Sequence, residues 1–230
     1  GSAPSPPPLA SSTDSQFTPA DPPNATVPAN RSAVARVQSG PCLCAFDIDR
    51  TLTGKQGLLE SDGCPGNEQH RDVADYAYGG GTLTLSQVGA RFQATFCAEC
   101  YLGIVSHGSA SGSEMKGKIL GHFQGSGQLP GQYDWSFDCD VSSPLVLECA
   151  EGQKQGAVRR ILGWYQNNGV EIPDEEVYFF DDRQHNVEPF VGTGFNARQV
   201  SCRSQSASVG VCGAEMAEIM PEKGVSICAP

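Results

Sequence analysis

The chain has 230 residues, enough for one domain with a sizeable core, and its 15 basic and 26 acidic residues give a formal charge of -11. That balance argues against nucleic acid as the main partner, because binding a phosphate backbone needs clustered Lys and Arg. No run of 18 apolar residues occurs, so no transmembrane segment is expected in this sequence.

Residues 1–40 hold 8 of the 16 prolines, with Asp14, Asp21, Arg31 and Arg36 as their charges. A stretch of Pro, Ser, Ala and Thr with few large apolar residues cannot bury enough surface to offset its ordering entropy, so a disordered tail or stalk is expected. It carries two glycosylation sequons, Asn24-Ala25-Thr26 and Asn30-Arg31-Ser32. The opening Gly1-Ser2 lacks a Met and reads as an appended start, which leaves room for a signal peptide that was cut away. Ten cysteines, an even number, suit five disulfides in a secreted or lumenal glycoprotein.

From residue 41 onward, short apolar runs alternate with stretches of helical spacing, the pattern of an α/β domain over 41–230 with a parallel sheet. Residues 42–46 predict a strand that runs into Asp47 and Asp49. The segment 60–75 is polar and 79–81 is all glycine, which leaves material for a small lid only. Val88, Phe92 and Phe96 fall at i, i+4 and i+8 and predict a helix. Residues 101–105 predict a buried strand that ends at Ser106, and 112–119 read as a Gly-rich loop running into a helix. That loop misses a P-loop at Ile119, where Mg²⁺ binding needs Ser or Thr. A strand is predicted at 133–137. Val158, Ile161, Leu162 and Tyr165 predict a helix that Gly169 ends, and 177–180 predict a strand that runs into Asp181 and Asp182. A further strand is expected at 197–202.

The pair Cys97 and Cys100 has the CxxC spacing, yet no second pair matches it, so structural disulfides to Cys42, Cys44 or Cys64 are expected. Cys139 with Cys149 would close a loop, and Cys202, Cys212 and Cys228 would tie down the C-terminal end. His70, His107, His122 and His185 show neither HxH nor HxxxH spacing, so no zinc site is expected. Surface positions are expected for His107 and His185, although each follows a strand end and could line a pocket.

In parallel sheets, ligands bind beyond the carboxyl ends of the strands. Three predicted strand ends carry Asp47 with Asp49, Ser106, and Asp181 with Asp182, and Lys154 opens a helix just before the third strand. Crowded carboxylates repel one another and call for a cation. Oxygen ligands without paired His favour a hard ion, Mg²⁺, which commonly shares its shell with a substrate phosphate. A calcium loop of the EF-hand kind is excluded, because its sixth position would be Leu52 and its twelfth Leu58.

The set Asp47-x-Asp49-x-Thr51, Ser106, Lys154 and Asp181-Asp182 resembles, in order, the four motifs of the haloacid dehalogenase superfamily of phosphatases. The resemblance spans 47–182, more than half of the chain. It implies a Rossmann-like three-layer sandwich with a small or minimal cap, and a Mg²⁺-dependent phosphomonoesterase. In that reading Asp47 is the nucleophile and a metal ligand, and Asp49 is the general acid and base, its main-chain carbonyl also binding metal. Asp182 is the direct metal ligand, with Asp181 as second ligand or water holder. Thr51 steadies the loop on the substrate side, Ser106 and the backbone amides of His107 and Gly108 hold a phosphoryl oxygen, and Lys154 bridges that oxygen and the nucleophile. The substrate would be a phosphorylated small molecule or a phosphoprotein. The alternatives are a non-catalytic secreted binding protein on the same fold, and a phosphotransferase or mutase acting between sugars.

Overall fold

The computed structural model describes residues 40–123 and 134–229. The expected stalk with both sequons lies outside the described residues, as does Tyr133, the first residue of one expected strand. In chain order the strands are β1 (Leu43–Phe46), β2 (Glu68–Asp75), β3 (Gly81–Leu85), β4 (Tyr101–Val105), β5 (Trp135–Ser136), β6 (Leu145–Val146), β7 (Val177–Asp181), β8 (Asn196–Gln199), β9 (Gln205–Ser206), β10 (Val209–Gly210) and β11 (Val225–Ser226). The helices are α1 (Gln87–Arg91), α2 (Ser113–Phe123), α3 (Lys154–Asn167) and α4 (Gln184–Val187).

Seven strands form one sheet in the order β11-β8-β7-β1-β4-β6-β5, and every neighbouring pair is parallel. The chain builds outward from β1 through β4 to β6, and α3 then carries it back to β7 on the other side of β1. The strand order therefore reverses at β1, and the crevice beyond its carboxyl end is where such a sheet receives a ligand.

Period-two alternation splits the apolar residues of the central strands between two cores. Leu43 and Ala45 of β1, with Val177 and Phe179 of β7, face α3 through Ala157, Val158, Ile161 and Leu162. Cys44 and Phe46 of β1, with Tyr178 and Phe180 of β7, face the other side, where Val88, Met115 and Ile119 of α1 and α2 cover them. The result is a three-layer α/β sandwich. In β4, a Cβ on Gly103 would stand 2.9 Å from Ile161, so glycine is what lets α3 lie this close to the sheet. The end of α3 is set by Gly169, at φ +82°. Val170 N–H donates to Tyr165 O at 3.0 Å and Gly169 N–H to Gln166 O at 3.0 Å, the paired bonds of a Schellman cap.

The helix expected through Val88, Phe92 and Phe96 is not continuous. α1 stops at Arg91, and two 3₁₀ turns follow, Phe92–Ala94 and Phe96–Glu99. Thr95 is the break: its backbone is extended and its hydroxyl donates to Phe92 O at 2.8 Å. The second turn has a covalent role. Cys97 lies in it and Cys100 follows as its extended C-cap, donating its N–H to Cys97 O, while Cys42 and Cys44 share one face of extended chain, and the two pairs join as Cys42–Cys100 and Cys44–Cys97. The other disulfides are Cys64–Cys212, Cys139–Cys149 and Cys202–Cys228. The strand expected at 197–202 ends at Gln199, because Ser201 takes a left-handed conformation and a 3₁₀ turn begins at Cys202.

The polar segment after β1 is an antiparallel hairpin, β2–β3, with a bulge between His70 and Ala74. Its first strand hides its nature in sequence, because most of it faces solvent and only Val73 and Asp75 are buried. Leu83 and Leu85 of β3 anchor the hairpin in the core. Among the described residues, no helix is long and apolar enough to cross a membrane.

Candidate active site

β1 delivers Asp47 to the switch point, where Asp47 N–H donates to Phe180 O at 2.9 Å and extends the pairing with β7 by one residue. The chain then makes one wide turn, Ile48–Leu52, in which Arg50 adopts φ +66°. Thr53 closes that turn: its N–H and its hydroxyl both donate to Ile48 O, at 3.0 and 3.2 Å, and its oxygen accepts Arg50 N–H at 3.3 Å. The sequence reading gave this task, and a place beside the substrate, to Thr51. Thr51 is instead fully buried behind the site, away from the cavity wall, with no hydrogen-bond partner for its hydroxyl among the described residues. Its main-chain carbonyl accepts Ala214 N–H at 2.9 Å, so it holds the loop through the backbone.

Lys154, the first residue of α3, is buried to 1% exposure and points back to the strand ends. Its Nζ lies 2.8 Å from Asp47 Oδ1 and 2.7 Å from Asp181 Oδ2. Burial opposes its charge, but the Asp181 and Asp47 carboxylates hold the ammonium above the usual lysine range. Asp181 is saturated: Oδ1 accepts Arg183 N–H at 2.9 Å, and Asn186 Nδ2 donates to Oδ1 at 3.0 Å and to Oδ2 at 3.1 Å. Asp182 differs. Its Oδ2 accepts Gly210 N–H at 2.7 Å from the β9–β10 ribbon, whereas Oδ1 is buried and has no hydrogen-bond partner among the described residues.

Ligand oxygens of Asp47, Asp181 and Asp182 all lie within 4.8 Å of one another, and all three residues are buried. Three acids against one ammonium leave an excess of negative charge in a place that water does not screen. Asp47 is pushed up to about 7, chiefly by burial, against the pull of Lys154. Burial, with Asp181 and Asp47 adding to it, pushes Asp182 up to about 8. A buried oxygen on Asp182 with no donor, beside crowded carboxylates that would rather be neutral, fits a bound cation. Asp182 has the free oxygen for it; Asp181, though part of the trio, has both oxygens engaged and chiefly positions Lys154.

Next to this trio opens a cavity of about 300 Å³ lined by Asp47, Asp49, Ser106, His107, Gly108 and Lys154, together with Ala77, Tyr78, Glu151, Arg183 and Asn186. Ser106 is held by backbone bonds on both sides, from its N–H to Val146 O and from Cys149 N–H to its own carbonyl, each 3.0 Å. Its Oγ is buried and has no hydrogen-bond partner among the described residues. His107, for which a surface position was expected, faces the cavity, with Nδ1 3.0 Å from Cys149 O. His185 is at the surface, paired with Glu151 at 2.8 Å. A Cβ on Gly108 would meet Asp49 Oδ2 at 2.5 Å, so the absence of a side chain there makes room for that carboxylate. Asp49 is pushed up to about 6, first by burial and then by Asp75.

The segment expected to leave only a small lid forms the β2–β3 hairpin, and that form, its Tyr78 and the Gln56 brace go beyond the sequence reading. The tip of the β2–β3 hairpin brings Tyr78, at φ +49°, over the opening, where the Arg50 guanidinium sits 4.7 Å from its ring centre. Gln56 Nε2 ties the hairpin down by donating to Asp75 Oδ2 and Ala77 O, both at 2.8 Å. An aromatic residue inside a glycine-rich stretch between two polar runs was the available signal. Asn186, which holds Asp181 and whose Oδ1 accepts Gly152 N–H at 2.8 Å, is one helical turn beyond Asp182 and belongs to the same strand-end motif.

These features define a parallel α/β protein with a buried carboxylate–lysine centre at its switch point, under a hairpin lid. No protein-family model matches the chain, and comparison with curated proteins finds no match.

Proposed function

We propose that this protein is a Mg²⁺-dependent phosphomonoesterase of the haloacid dehalogenase kind, acting through an aspartyl phosphate. The observation that carries the reading is the pairing of one fully buried Lys154 with Asp47 and Asp181, beside an Asp182 oxygen and a Ser106 hydroxyl that are buried without hydrogen-bond partners. A site that merely stabilised the fold would leave fewer buried polar atoms unsatisfied.

The Asp47 carboxylate attacks phosphorus, forming an O–P bond as the ester P–O bond breaks, and Asp49 gives its proton to the departing oxygen. Asp49 then takes a proton from water as the water oxygen attacks phosphorus, which releases inorganic phosphate and restores the Asp47 carboxylate. A carboxyl group raised to about 6 can exchange protons in both directions near neutral pH. Lys154 fixes the Asp47 carboxylate and, with Ser106, lies where charge on a phosphoryl oxygen would be met. Mg²⁺ held by Asp47, Asp182 and the Asp49 carbonyl would neutralise charge on the phosphoryl group and on the nucleophile. The cavity volume and the hairpin lid suit a small phosphomonoester or a phosphorylated side chain, and five disulfides favour a secreted or lumenal setting.

Hydrolysis of a chromogenic aryl phosphate, with and without Mg²⁺, tests this reading. Metal-dependent release is expected from the unaltered protein and none above background from Asp47→Asn. Undiminished turnover by that variant would refute the mechanism.

A further inference from the structure

One cluster of metal-binding side chains lies apart from the strand-end carboxylates. Glu68 and His70 are two residues apart on β2 and share a face of the hairpin. His122 comes from the last turn of α2, which packs against that strand. One ligand atom from each of the three lies within 4.8 Å of the others.

The finer geometry is that of ligands around an ion. A tetrahedral zinc at about 2.0–2.1 Å from each donor sets neighbouring donor atoms about 3.3 Å apart and two imidazole centres about 5 Å apart. Here His70 Nε2 and Glu68 Oε1 are 3.2 Å apart, and the ring centres of His70 and His122 are 5.2 Å apart at an interplanar angle of 70°. His70 Nε2 is buried, yet it has no aligned hydrogen-bond partner among the described residues. Nitrogen and carboxylate oxygen thus stand at ion-pair distance without an aligned hydrogen bond between them.

We propose that Glu68, His70 and His122 form a zinc site that links the lid hairpin to α2. Two imidazoles and a carboxylate favour Zn²⁺ over Mg²⁺, and three protein ligands leave a fourth position for water or an outside ligand. Because β2 continues into the tip that carries Ala77 and Tyr78, zinc here braces the lid over the cavity. The site stands on its own residues and does not depend on the phosphatase reading.

The test is calorimetric titration of chelator-stripped protein with Zn²⁺ in excess Mg²⁺, repeated with Co²⁺, whose visible absorption reports tetrahedral nitrogen ligation. One equivalent of Zn²⁺ is expected, retained in Asp182→Asn and weakened more than about tenfold in His122→Ala. His122 is half-buried on the helix surface, so its replacement spares the core; His70→Gln, read in parallel by circular dichroism, is expected to weaken binding likewise in a folded chain. Absence of binding at micromolar Zn²⁺, or binding that His122→Ala leaves intact, overturns the proposal.

Discussion

The two ends of β1 are held by opposite means. At its amino end, Cys42 and Cys44 are bonded to the 3₁₀ turn of Cys97 and Cys100, and the chain around them is apolar and buried. At its carboxyl end, three residues after Cys44, Asp47 sits among buried carboxylates whose charged forms burial opposes. One end contributes stability and the other consumes it. A rigid, covalently tied strand can present an unfavourable charge cluster in fixed positions, which is what chemistry at a pre-organised site needs.

This contrast can be broken most severely at the charged end. Lys154→Met leaves Asp47 and Asp181 without their buried cation, and about 3–5 kcal/mol of stability should be lost, together with aryl phosphatase activity. Urea unfolding measures the first and the aryl phosphate assay the second; a variant as stable as the parent would show that the pair is dispensable. At the covalent end, replacing Cys42 and Cys100 together by Ala should cost about 2–4 kcal/mol while folded molecules keep their activity, because the bond is remote from the cavity. Loss of specific activity without loss of stability would contradict that division of labour.

Smaller effects sharpen it. Gly108→Ala should fold normally but displace the Asp49 carboxylate, lowering kcat by about tenfold with a poor leaving group such as an alkyl phosphate. With an aryl phosphate, whose leaving group needs little protonation, the loss should be slighter, and equal losses on both substrates would remove Asp49 from the acid role. A further effect is on pH dependence. Asp47 and Asp182 are raised in the folded chain to about 7 and about 8, so the folded state binds more protons than the unfolded one above pH ~4. Their contribution is therefore fully present at acid pH and lost as pH rises through 7 and 8. Metal-free protein should show thermal midpoints that fall between pH ~4 and ~8 and level off above, less steeply in Asp182→Asn, and Mg²⁺ should flatten the slope. An equal slope in the variant would exclude Asp182 as its source.

The candidate site was legible to the extent that local pattern carries it. Apolar runs that end in Asp47, Ser106 and Asp181-Asp182 announce buried strands with polar ends, and a parallel sheet brings such ends together. Thr51 takes its role from the Asp-x-Asp-x-Thr resemblance, and only the turn's geometry shows that it holds the loop through its backbone while the Thr53 hydroxyl closes onto Ile48 O. The small lid was expected but not its hairpin form, because β2 faces solvent over most of its length and no alternation marks it. The helix through Phe92 was overextended because periodicity ignores Thr95 and the disulfides beyond it.

What the amino-acid order determines by itself is therefore local: which segments are buried strands, where α3 stops at Gly169, and which carboxylates stand at strand ends. Backbone sterics and side-chain alternation act between near neighbours, and neighbours are visible in a sequence. The pairing of Cys42 with Cys100 and Cys44 with Cys97, the closure of Lys154 onto two carboxylates, and the meeting of His70 with His122 were decided by the tertiary structure. Each joins residues far apart in the chain, and such contacts exist only after the sheet has chosen its strand order.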